Sequence, residues 1–269
     1  MLEIWLGVSL ALLAVLIGIV AALIGVGGGF LTVPALVLLF AFSSQKAVGT
    51  SSSVIVATSL SALAAYAWQR RIDYRVGLVL AAGTIPGGAL GAYATSFVSN
   101  QVLRILFGLF MLAVSLQMVL SSEKSGFKAS VGGGWMRTLV DSRGVRFEYK
   151  ASMLPGVAFS FLAGVASGLF GIGGGAVMVP VMALLVGIPI HIAVATSAFM
   201  IPFSSFSAAV TQVVQGNVVY EYAAVLALGS VIGAQIGARL ARRIKPGRLR
   251  MVFGAFLFII GLRMAVPFL

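Results

Sequence analysis

Apolar residues fall into ten runs along this chain, and short polar stretches separate the runs from one another. They form two series of five, at positions 3–24, 27–41, 46–68, 76–97 and 102–120, and then at 152–170, 174–188, 192–215, 222–239 and 250–267. Most runs approach or exceed the length of about 20 residues that a helix needs to cross a bilayer. Because hydrocarbon offers backbone groups no hydrogen-bond partner, the runs are predicted to be helices. The second run of each series is short for a full span and is predicted to be broken or re-entrant.

Composition places these helices in a membrane rather than in a soluble domain. Sixty per cent of the 269 residues are hydrophobic, only 9% are charged, and the mean hydropathy is +1.11. A soluble domain has about a quarter of its residues charged. The chain is therefore predicted to be a multi-pass protein of the bacterial cytoplasmic membrane. It has no cysteine, which excludes disulfides, thiolate metal sites and cysteine nucleophiles, and neither a metal nor a cofactor is predicted.

The basic residues, which give a net charge of +12, are grouped between the apolar runs. Of the 18 lysines and arginines, 15 lie in three clusters, at 70–75, 121–150 and 239–250. Basic loops between apolar runs are typical of the cytoplasmic side of membrane proteins. This distribution argues against nucleic acid as a partner, and it predicts that the three clusters face the cytoplasm.

The two series of runs are copies of one another at an offset of 146 residues. At this offset the segment 25–34, Gly-Val-Gly-Gly-Gly-Phe-Leu-Thr-Val-Pro, falls on 171–180, Gly-Ile-Gly-Gly-Gly-Ala-Val-Met-Val-Pro. The Thr-Ser pair at 50–51 falls on the pair at 196–197 without a gap. The chain is therefore predicted to contain a duplicated half.

The position of the basic cluster differs between the two halves. In the first half the cluster at 70–75 follows the third run, whereas the corresponding loop of the second half, 217–222, contains no lysine or arginine. The second-half cluster at 239–250 comes one loop later. If basic loops face the cytoplasm, the halves cross the membrane in opposite orientations, which requires an odd number of segments in each half.

The predicted fold is an all-α polytopic membrane protein made of two inverted repeats. Each repeat, 1–120 and 151–269, has about five membrane segments, some of them short or broken, and a basic cytoplasmic linker at 121–150 joins the two. Inverted repeats that meet near the membrane midplane are a recurring design of secondary transporters.

Two glycine-rich segments and two Thr-Ser pairs are the candidate substrate-binding residues. The glycines open a short helix after a break, where exposed N–H groups and the positive end of the helix dipole can bind an anion without a cationic side chain. The hydroxyls can donate to an oxyanion and release it again. The structural alternatives are a hinge or close helix contact for the glycines, and capping or interhelical hydrogen bonding for the hydroxyls. The candidates are Gly25, Gly27, Gly28, Gly29, Thr50, Ser51, Gly171, Gly173, Gly174, Gly175, Thr196 and Ser197.

Ionisable side chains are scarce within the apolar runs. No Asp or Glu lies in the middle of any run, so no carboxylate is predicted to couple proton movement to transport. His191, the only histidine, falls in the loop before the run 192–215 and is interpreted as solvated rather than as a proton relay. Because no acid, base and nucleophile occur together in the runs, no catalytic residues are predicted and an enzyme is the least favoured class.

The duplicated motif resembles that of a known transporter family. A paired Gly-[Ile/Val]-Gly-Gly-Gly-x4-Pro, each copy followed by Thr-Ser about sixteen residues after the proline, is similar to the TauE/SafE family of sulfite exporters. The likeness covers nearly the whole chain outside the linker. The resemblance implies export of sulfite or of sulfonates such as taurine and sulfoacetate, with proton coupling. That family is described with eight helices, and two short re-entrant segments would reconcile this number with ten runs.

The predicted function is therefore secondary transport of a small anion, and the resemblance implies that the anion is sulfite or an organosulfonate. An anion channel or a membrane-embedded assembly or structural protein is the alternative. The predicted partners are a small anionic substrate and the lipid bilayer, with a proton or another coupling ion and a second copy of the chain as further candidates.

Overall fold

Helices dominate the computed structural model, which describes residues 2–120, 134–241 and 246–266. The first half contains α1 (Leu2–Ile24), α2 (Gly29–Leu39), α3 (Ser44–Trp68), α4 (Tyr74–Ala94) and α5 (Asn100–Leu120). The second half contains α6 (Met153–Phe170), α7 (Gly175–Pro180), α8 (Ile190–Val214), α9 (Tyr220–Leu240) and α10 (Pro246–Ala265). A 3₁₀ turn at Thr95–Phe97 follows α4, and a π-helical segment at Val181–Val186 continues α7. Every predicted run thus contains a helix, in the predicted order, and the prediction of an all-α polytopic protein is confirmed.

Among the described residues, six helical segments are long and apolar enough to cross a membrane. They are Ser44–Trp68, Tyr74–Phe97, Asn100–Gln117, Met153–Phe170, Ile190–Val214 and Tyr220–Leu240. By contrast, α2 has 11 residues and extends about 17 Å at 1.5 Å per residue, little more than half of the bilayer core. The segment Gly175–Val186, formed by α7 and the π-helical segment, is similarly short. The second run of each series is therefore too short to span the bilayer by itself.

Helices of the two halves pack against each other in pairs that repeat at the 146-residue offset. Helix α1 lies against α9, and their counterparts α6 and α4 lie against each other, while α5 packs on α10. Helices α3 and α8 contact each other at the centre, where more than half of their residues are buried. Small residues allow the close approach: a Cβ at Gly87 would meet the backbone of Phe161 in α6, and one at Gly233 would meet that of Val15 in α1.

The loops with and without basic residues lie at opposite ends of α3. At the end of α3, Gln69 Nε2 donates to the carbonyl oxygen of Ala238 at 3.0 Å, so the end of α9 lies beside the basic cluster at 70–75. At the beginning of α3, the N–H of Val219 donates to Thr50 Oγ1 at 3.1 Å. A 25-residue helix is about 37 Å long, longer than the hydrocarbon core. The inverted orientation of the halves in a membrane stays a prediction, and this placement of the loops agrees with it.

A β-hairpin forms the described part of the linker between the halves. Strand β1 (Trp135–Val140) pairs antiparallel with β2 (Arg146–Ala151), with Arg137 opposite Tyr149. In the connecting turn, Asp141 Oδ1 accepts hydrogen bonds from the N–H groups of Arg143 and Val145 at 2.8 and 3.0 Å. The hydropathy pattern predicts only a polar linker at 121–150, because strands this short and polar produce no apolar run. Residues 121–133 of that linker lie outside the described residues.

Candidate functional site

Each half contains a glycine turn that breaks a helix. The first turn is residues 25–29, between α1 and α2, and the second is residues 171–175, between α6 and α7. In the first turn φ is 73°, 88° and 92° at Gly25, Gly27 and Gly28. In the second turn φ is 61°, 83° and 74° at Gly171, Gly173 and Gly174. Because a Cβ disfavours positive φ, this backbone path requires glycine at three positions in each half.

The two glycine turns lie against each other in the interior of the protein, where all their residues are buried. A Cβ at Gly29 would lie 2.6 Å from Ile172 Cα in the other turn. Reciprocally, a Cβ at Gly175 would lie 2.8 Å from Val26 Cα. Both distances are far shorter than van der Waals contact between carbon atoms. The structure therefore brings together the two predicted glycine segments, and only glycine at these positions permits the approach.

The Thr-Ser pairs form hydrogen bonds that cross between the halves. Ser51 Oγ donates to the carbonyl oxygen of Gly171 at 2.8 Å, and Ser197 Oγ donates to that of Gly25 at 2.7 Å. Thr50 Oγ1 accepts the N–H of Val219, and Thr196 Oγ1 accepts the N–H of Asp73, each at 3.1 Å. The pairs thus lie beside the glycine turns, as the repeat suggests, and they hold the two halves together. Their part in substrate binding stays a prediction.

Several backbone N–H groups in the glycine turns have no hydrogen-bond partner among the described residues. The N–H groups of residues 27–29 and 173–175 donate no hydrogen bond to another described residue. A buried polar group without a partner costs about 1–3 kcal/mol, so nearly all such groups in proteins are paired. These six groups lie at the N-terminal ends of α2 and α7, where the helix dipole adds partial positive charge. They are therefore available to a bound anion or to water.

Two buried hydroxyl groups beside the second glycine turn also lack hydrogen-bond partners. Ser205 Oγ lies 3.4 Å from the position of a Cβ at Gly173, and Ser167 Oγ lies 3.6 Å from that of a Cβ at Gly174. Both serines are 1% exposed, and among the described residues neither oxygen has a partner. At the 146-residue offset, Ser205 corresponds to Ser59 of the first half. The second turn thus combines unpaired N–H and O–H groups in one buried place.

Two isoleucines fill the space between the glycine turns. Ile55 and Ile201 correspond at the repeat offset, and their Cγ2 atoms lie 2.9–3.2 Å from the Cβ positions of both Gly27 and Gly173. Beside them is a cavity of ≈ 10 Å³ that Thr58 and Ser59 help to line. That volume holds about one water molecule, which is smaller than an oxyanion such as sulfite. The cavity beside the two isoleucines is therefore closed to an anion of that size.

A buried ion pair attaches the β-hairpin to the loop between α3 and α4. The guanidinium of Arg137 donates from Nε to Asp73 Oδ2 and from Nη2 to Asp73 Oδ1, both at 2.8 Å. Tyr149 OH donates to Asp73 Oδ2 at 2.7 Å, and the N–H of Val76 donates to Asp73 Oδ1 at 3.2 Å. The carboxylate of Asp73 is fully buried, so these donors replace its water. We call Asp73, Arg137 and Tyr149 the Asp73 cluster.

Protonation in the Asp73 cluster follows from these bonds. Burial alone would raise the pKa of Asp73, but the hydrogen bonds from Arg137, Tyr149 and the Val76 N–H hold that pKa below its ordinary value. The hydrogen bond to Asp73 raises the pKa of the Arg137 guanidinium. Burial, and then the hydrogen bond to Asp73, raises the pKa of the Tyr149 hydroxyl. At neutral pH the cluster is therefore a carboxylate, a guanidinium and a neutral phenol.

A second ion pair holds the turn of the hairpin at the same end of α3. Arg71 Nη2 donates to Asp141 Oδ2 at 3.0 Å, and the Asp141 side chain is 1% exposed. Burial alone would raise the pKa of Asp141, but hydrogen bonds from Arg71 and from the N–H groups of the turn hold that pKa below its ordinary value. The N–H of Ser142 also donates to the carbonyl oxygen of Gln69 at 3.0 Å. The hairpin is thus fixed to the end of α3 through side chains and backbone.

Several of these residues could not be singled out from the sequence. Asp73 lies outside the apolar runs, and its partner Arg137 is 64 residues away. Ser59 and Ser205 match at the repeat offset, and that match is the signal that could have identified them.

The prediction that His191 is solvated in a loop is wrong. His191 lies in the first turn of α8 and is half-buried, because α8 begins earlier than its apolar run. Among the described residues, no group of three His, Asp or Glu side chains could hold a metal ion.

The sequence is similar to those of membrane transporters. The sequence model of the family described as "Sulfite exporter TauE/SafE" matches residues 10–264. The probable membrane transporter protein YunE of Bacillus subtilis is 36% identical over 261 residues, which are 94% of this chain and 95% of that protein. A probable membrane transporter protein of Methanocaldococcus jannaschii is 25% identical over 270 residues, covering 95% of this chain and 94% of that protein. The sulfite exporter TauE/SafE family protein 6 of Arabidopsis thaliana is 31% identical over 110 residues, covering 41% of this chain and 26% of that protein. No solved structure matches the chain.

Proposed function

This chain belongs to the TauE/SafE sulfite exporter family, and we propose that it is a secondary transporter that exports a small oxyanion, sulfite or an organosulfonate, across the cytoplasmic membrane. Membership of that family and the six apolar spans establish a multi-pass membrane transporter. The substrate class, the secondary mechanism and the direction of transport are what we propose.

The unpaired donors at the two glycine turns are the observation that carries the proposal. An oxyanion offers several acceptor lone pairs, and the turns offer buried N–H groups at two helix N-termini together with the hydroxyls of Ser167 and Ser205. Such a site attracts an anion by oriented dipoles, without the strong Coulomb attraction of a buried lysine or arginine. Moderate attraction suits a transporter, because the substrate must leave the site after it has bound.

Opening of the closed site requires the two halves to move relative to each other. One glycine turn belongs to each half, and the Ser51–Gly171 and Ser197–Gly25 hydrogen bonds join the halves there. A rocking motion of one half against the other would separate the turns, displace Ile55 and Ile201 and expose the donors to one side of the membrane. Secondary transporters built from repeats commonly alternate access in this way.

The test removes the unpaired hydroxyls, with a matched control for each. Ser205→Ala and Ser167→Ala should each weaken sulfite binding about tenfold to hundredfold, because a hydrogen bond to a charged ligand contributes about 1.5–3 kcal/mol. Thermal stability should be unchanged or slightly raised, since neither hydroxyl bonds to a described residue. The controls, Ser204→Ala and Ser160→Ala, remove hydroxyls that donate to carbonyls within their own helices and should leave affinity unchanged.

Binding is measured by titration of the purified protein, and transport by flux into proteoliposomes. The flux panel contains sulfite, sulfate, sulfonates and carboxylates, and counterflow of labelled substrate separates a transporter from a channel. Unchanged affinity in both Ser205→Ala and Ser167→Ala would reject the site. Flux of sodium or of an organic amine, with none of any anion, would reject the function.

The glycines and the Thr-Ser pairs that the sequence predicts as substrate-binding residues require a separate comparison, because they also stabilise the fold. Thr196→Val removes the acceptor for the Asp73 N–H, and Gly28→Ala puts a Cβ at a φ of 92°. Both variants should therefore lose thermal stability. If these residues also bind substrate, affinity in the folded fraction should fall as well. Affinity that stays at the wild-type value would make them scaffold only.

A further inference from the structure

A groove between α3 and α9 opens at the end of the protein where the basic loop at 70–75 lies. It encloses ≈ 680 Å³, and its walls include Trp68, Gln69, Arg143, Ile236, Arg239 and Leu240. The two helices run parallel here, since Thr58 contacts Ser230 and, farther along, Gln69 contacts Ala238. No residue of the glycine turns lines the described groove, and Gly25 and Gly27 of the first turn line a different cavity.

Two arginines at the mouth of the groove have no acidic partner among the described residues. The ion pairs of the described chain are Arg71–Asp141, Arg137–Asp73 and Arg146–Glu148, and none involves Arg143 or Arg239. Both arginines are exposed, one in the hairpin turn and the other at the end of α9. The groove therefore presents two positive charges from two different parts of the chain.

A buried acceptor at the same place is also without a partner. Gln69 is 2% exposed, its Nε2 donates to the carbonyl oxygen of Ala238, and its Oε1 accepts nothing from the described residues. Its repeat counterpart provides an internal control. The Oε1 of Gln215 accepts a hydrogen bond from Asn217 Nδ2 at 3.2 Å, and the counterpart of Arg239 is the uncharged Tyr93. Of the two matched places in the described chain, the one at Gln69 thus has an unpaired acceptor and an arginine at the position of Arg239, and the one at Gln215 has neither.

Exposed apolar side chains lie on both helices that form the groove. On α3 they include Leu60 and Trp68, eight residues apart, and Trp68, which lines the groove, is 89% exposed. Leu228, Ile232 and Ile236 follow at intervals of four residues on α9. Exposed tryptophan is typical of the membrane interface, so in a bilayer these apolar side chains would face lipid and the arginines would lie at headgroup level.

We propose that this groove binds an anionic phospholipid with a hydroxylated headgroup, of the phosphatidylglycerol type. Its phosphate lies between Arg143 and Arg239, a headgroup hydroxyl donates to Gln69 Oε1, and an acyl chain follows the apolar surface of α3 and α9. Basic pockets between membrane helices on the cytoplasmic side commonly bind anionic headgroups. The unpaired acceptor adds a preference for a headgroup that carries a donor.

The test measures lipid binding by native mass spectrometry, and thermal unfolding in detergent with added lipid. The lipids are phosphatidylglycerol, phosphatidylmethanol, which has the same charge but no headgroup hydroxyl, and phosphatidylcholine, which has no net charge. Phosphatidylglycerol should bind most tightly and raise Tm most. Arg143→Gln and Arg239→Gln should each weaken its binding about fivefold, and together about 25-fold. Arg75→Gln removes an exposed arginine near the same end but outside the groove, and it should change nothing.

A third variant examines the acceptor by itself. Gln69→Leu should lower the affinity for phosphatidylglycerol to that for phosphatidylmethanol, which should not change. Equal binding of phosphatidylcholine, or wild-type affinity for phosphatidylglycerol in the double arginine variant, would overturn the proposal. Displacement of the lipid by glycerol phosphate or sulfite would assign the groove to a soluble anion and would overturn it too. Unfolding curves without added lipid establish that each variant is folded.

Discussion

Breaking the ion pair between Asp73 and Arg137 should destabilise the protein strongly. The change Arg137→Met removes both guanidinium hydrogen bonds and leaves the Asp73 carboxylate with the donors Tyr149 OH and Val76 N–H. Removing one member of a buried pair typically costs about 3–5 kcal/mol, because the other charge stays buried and uncompensated. Arg137 itself is 20% exposed, so water can partly replace it, and we expect about 3 kcal/mol. At about 2–4 °C per kcal/mol for a chain of this size, Tm should fall by about 6–12 °C.

The double variant Asp73→Asn/Arg137→Met separates charge from packing. An asparagine at position 73 can still accept the Val76 N–H and cap α4, but it leaves no buried charge. The double variant should therefore be more stable than Arg137→Met alone. The matched control, Arg146→Met, breaks a pair in the same hairpin whose side chains are 67% and 55% exposed, and such surface pairs contribute about 0–1 kcal/mol.

Thermal unfolding in one detergent, followed by intrinsic fluorescence, measures all three variants against the wild type. The reasoning is refuted if Arg137→Met lowers Tm by no more than Arg146→Met does. It is also refuted if the double variant is no more stable than Arg137→Met, since the uncompensated carboxylate would then not be the cause.

Three further predictions concern pH, packing and orientation. Because the pKa of Asp73 is held below its ordinary value of about 3.9, its stabilising contribution is complete above that pH and is lost as the pH falls towards the lowered pKa. The free energy of unfolding should therefore fall more steeply with decreasing pH in the wild type than in the Asp73→Asn/Arg137→Met variant, and equal pH dependences would contradict this. Gly175→Ala overpacks the contact between the glycine turns, so it should prevent folding or lower Tm by about 5 °C or more. Gly7→Ala, whose Cβ would have no neighbour within 4 Å, should not lower Tm. Single cysteines at Arg75 and Tyr220, both exposed, should be labelled from opposite sides of the membrane, and labelling from one side would exclude the inverted arrangement.

Much of the fold could be predicted from local sequence because the bilayer imposes simple requirements. Apolar runs predict where α3 and α8 lie, since a chain in hydrocarbon must pair its own backbone groups. Glycines predict the breaks before α2 and α7, since other residues disfavour the positive φ found there. Duplication of Gly25–Pro34 and of the Thr-Ser pairs suggests that both halves contribute to one place, and the structure does bring the glycine turns into contact.

The hairpin and the roles of individual hydroxyls could not be predicted in this way. The strands β1 and β2 are short and polar, so hydropathy does not distinguish them from a loop. Ser197 and Ser205 are both buried serines of α8, yet the hydroxyl of Ser197 donates to the carbonyl oxygen of Gly25 whereas that of Ser205 has no partner among the described residues. Helical periodicity predicts which face a serine occupies, but it does not predict which atom of another helix lies opposite.

The sequence by itself determined the membrane class, the ten helical segments, the two glycine breaks and the duplication. Each of these depends on residues within one turn or one run, or on a comparison of the chain with itself. Only the tertiary structure decided that Asp73 pairs with Arg137, that Ile55 and Ile201 close the centre, and that α3 and α9 form a basic groove. These contacts join residues 64 to 172 positions apart. No local preference acts over such separations, so the packing of whole helices decides which of these residues meet.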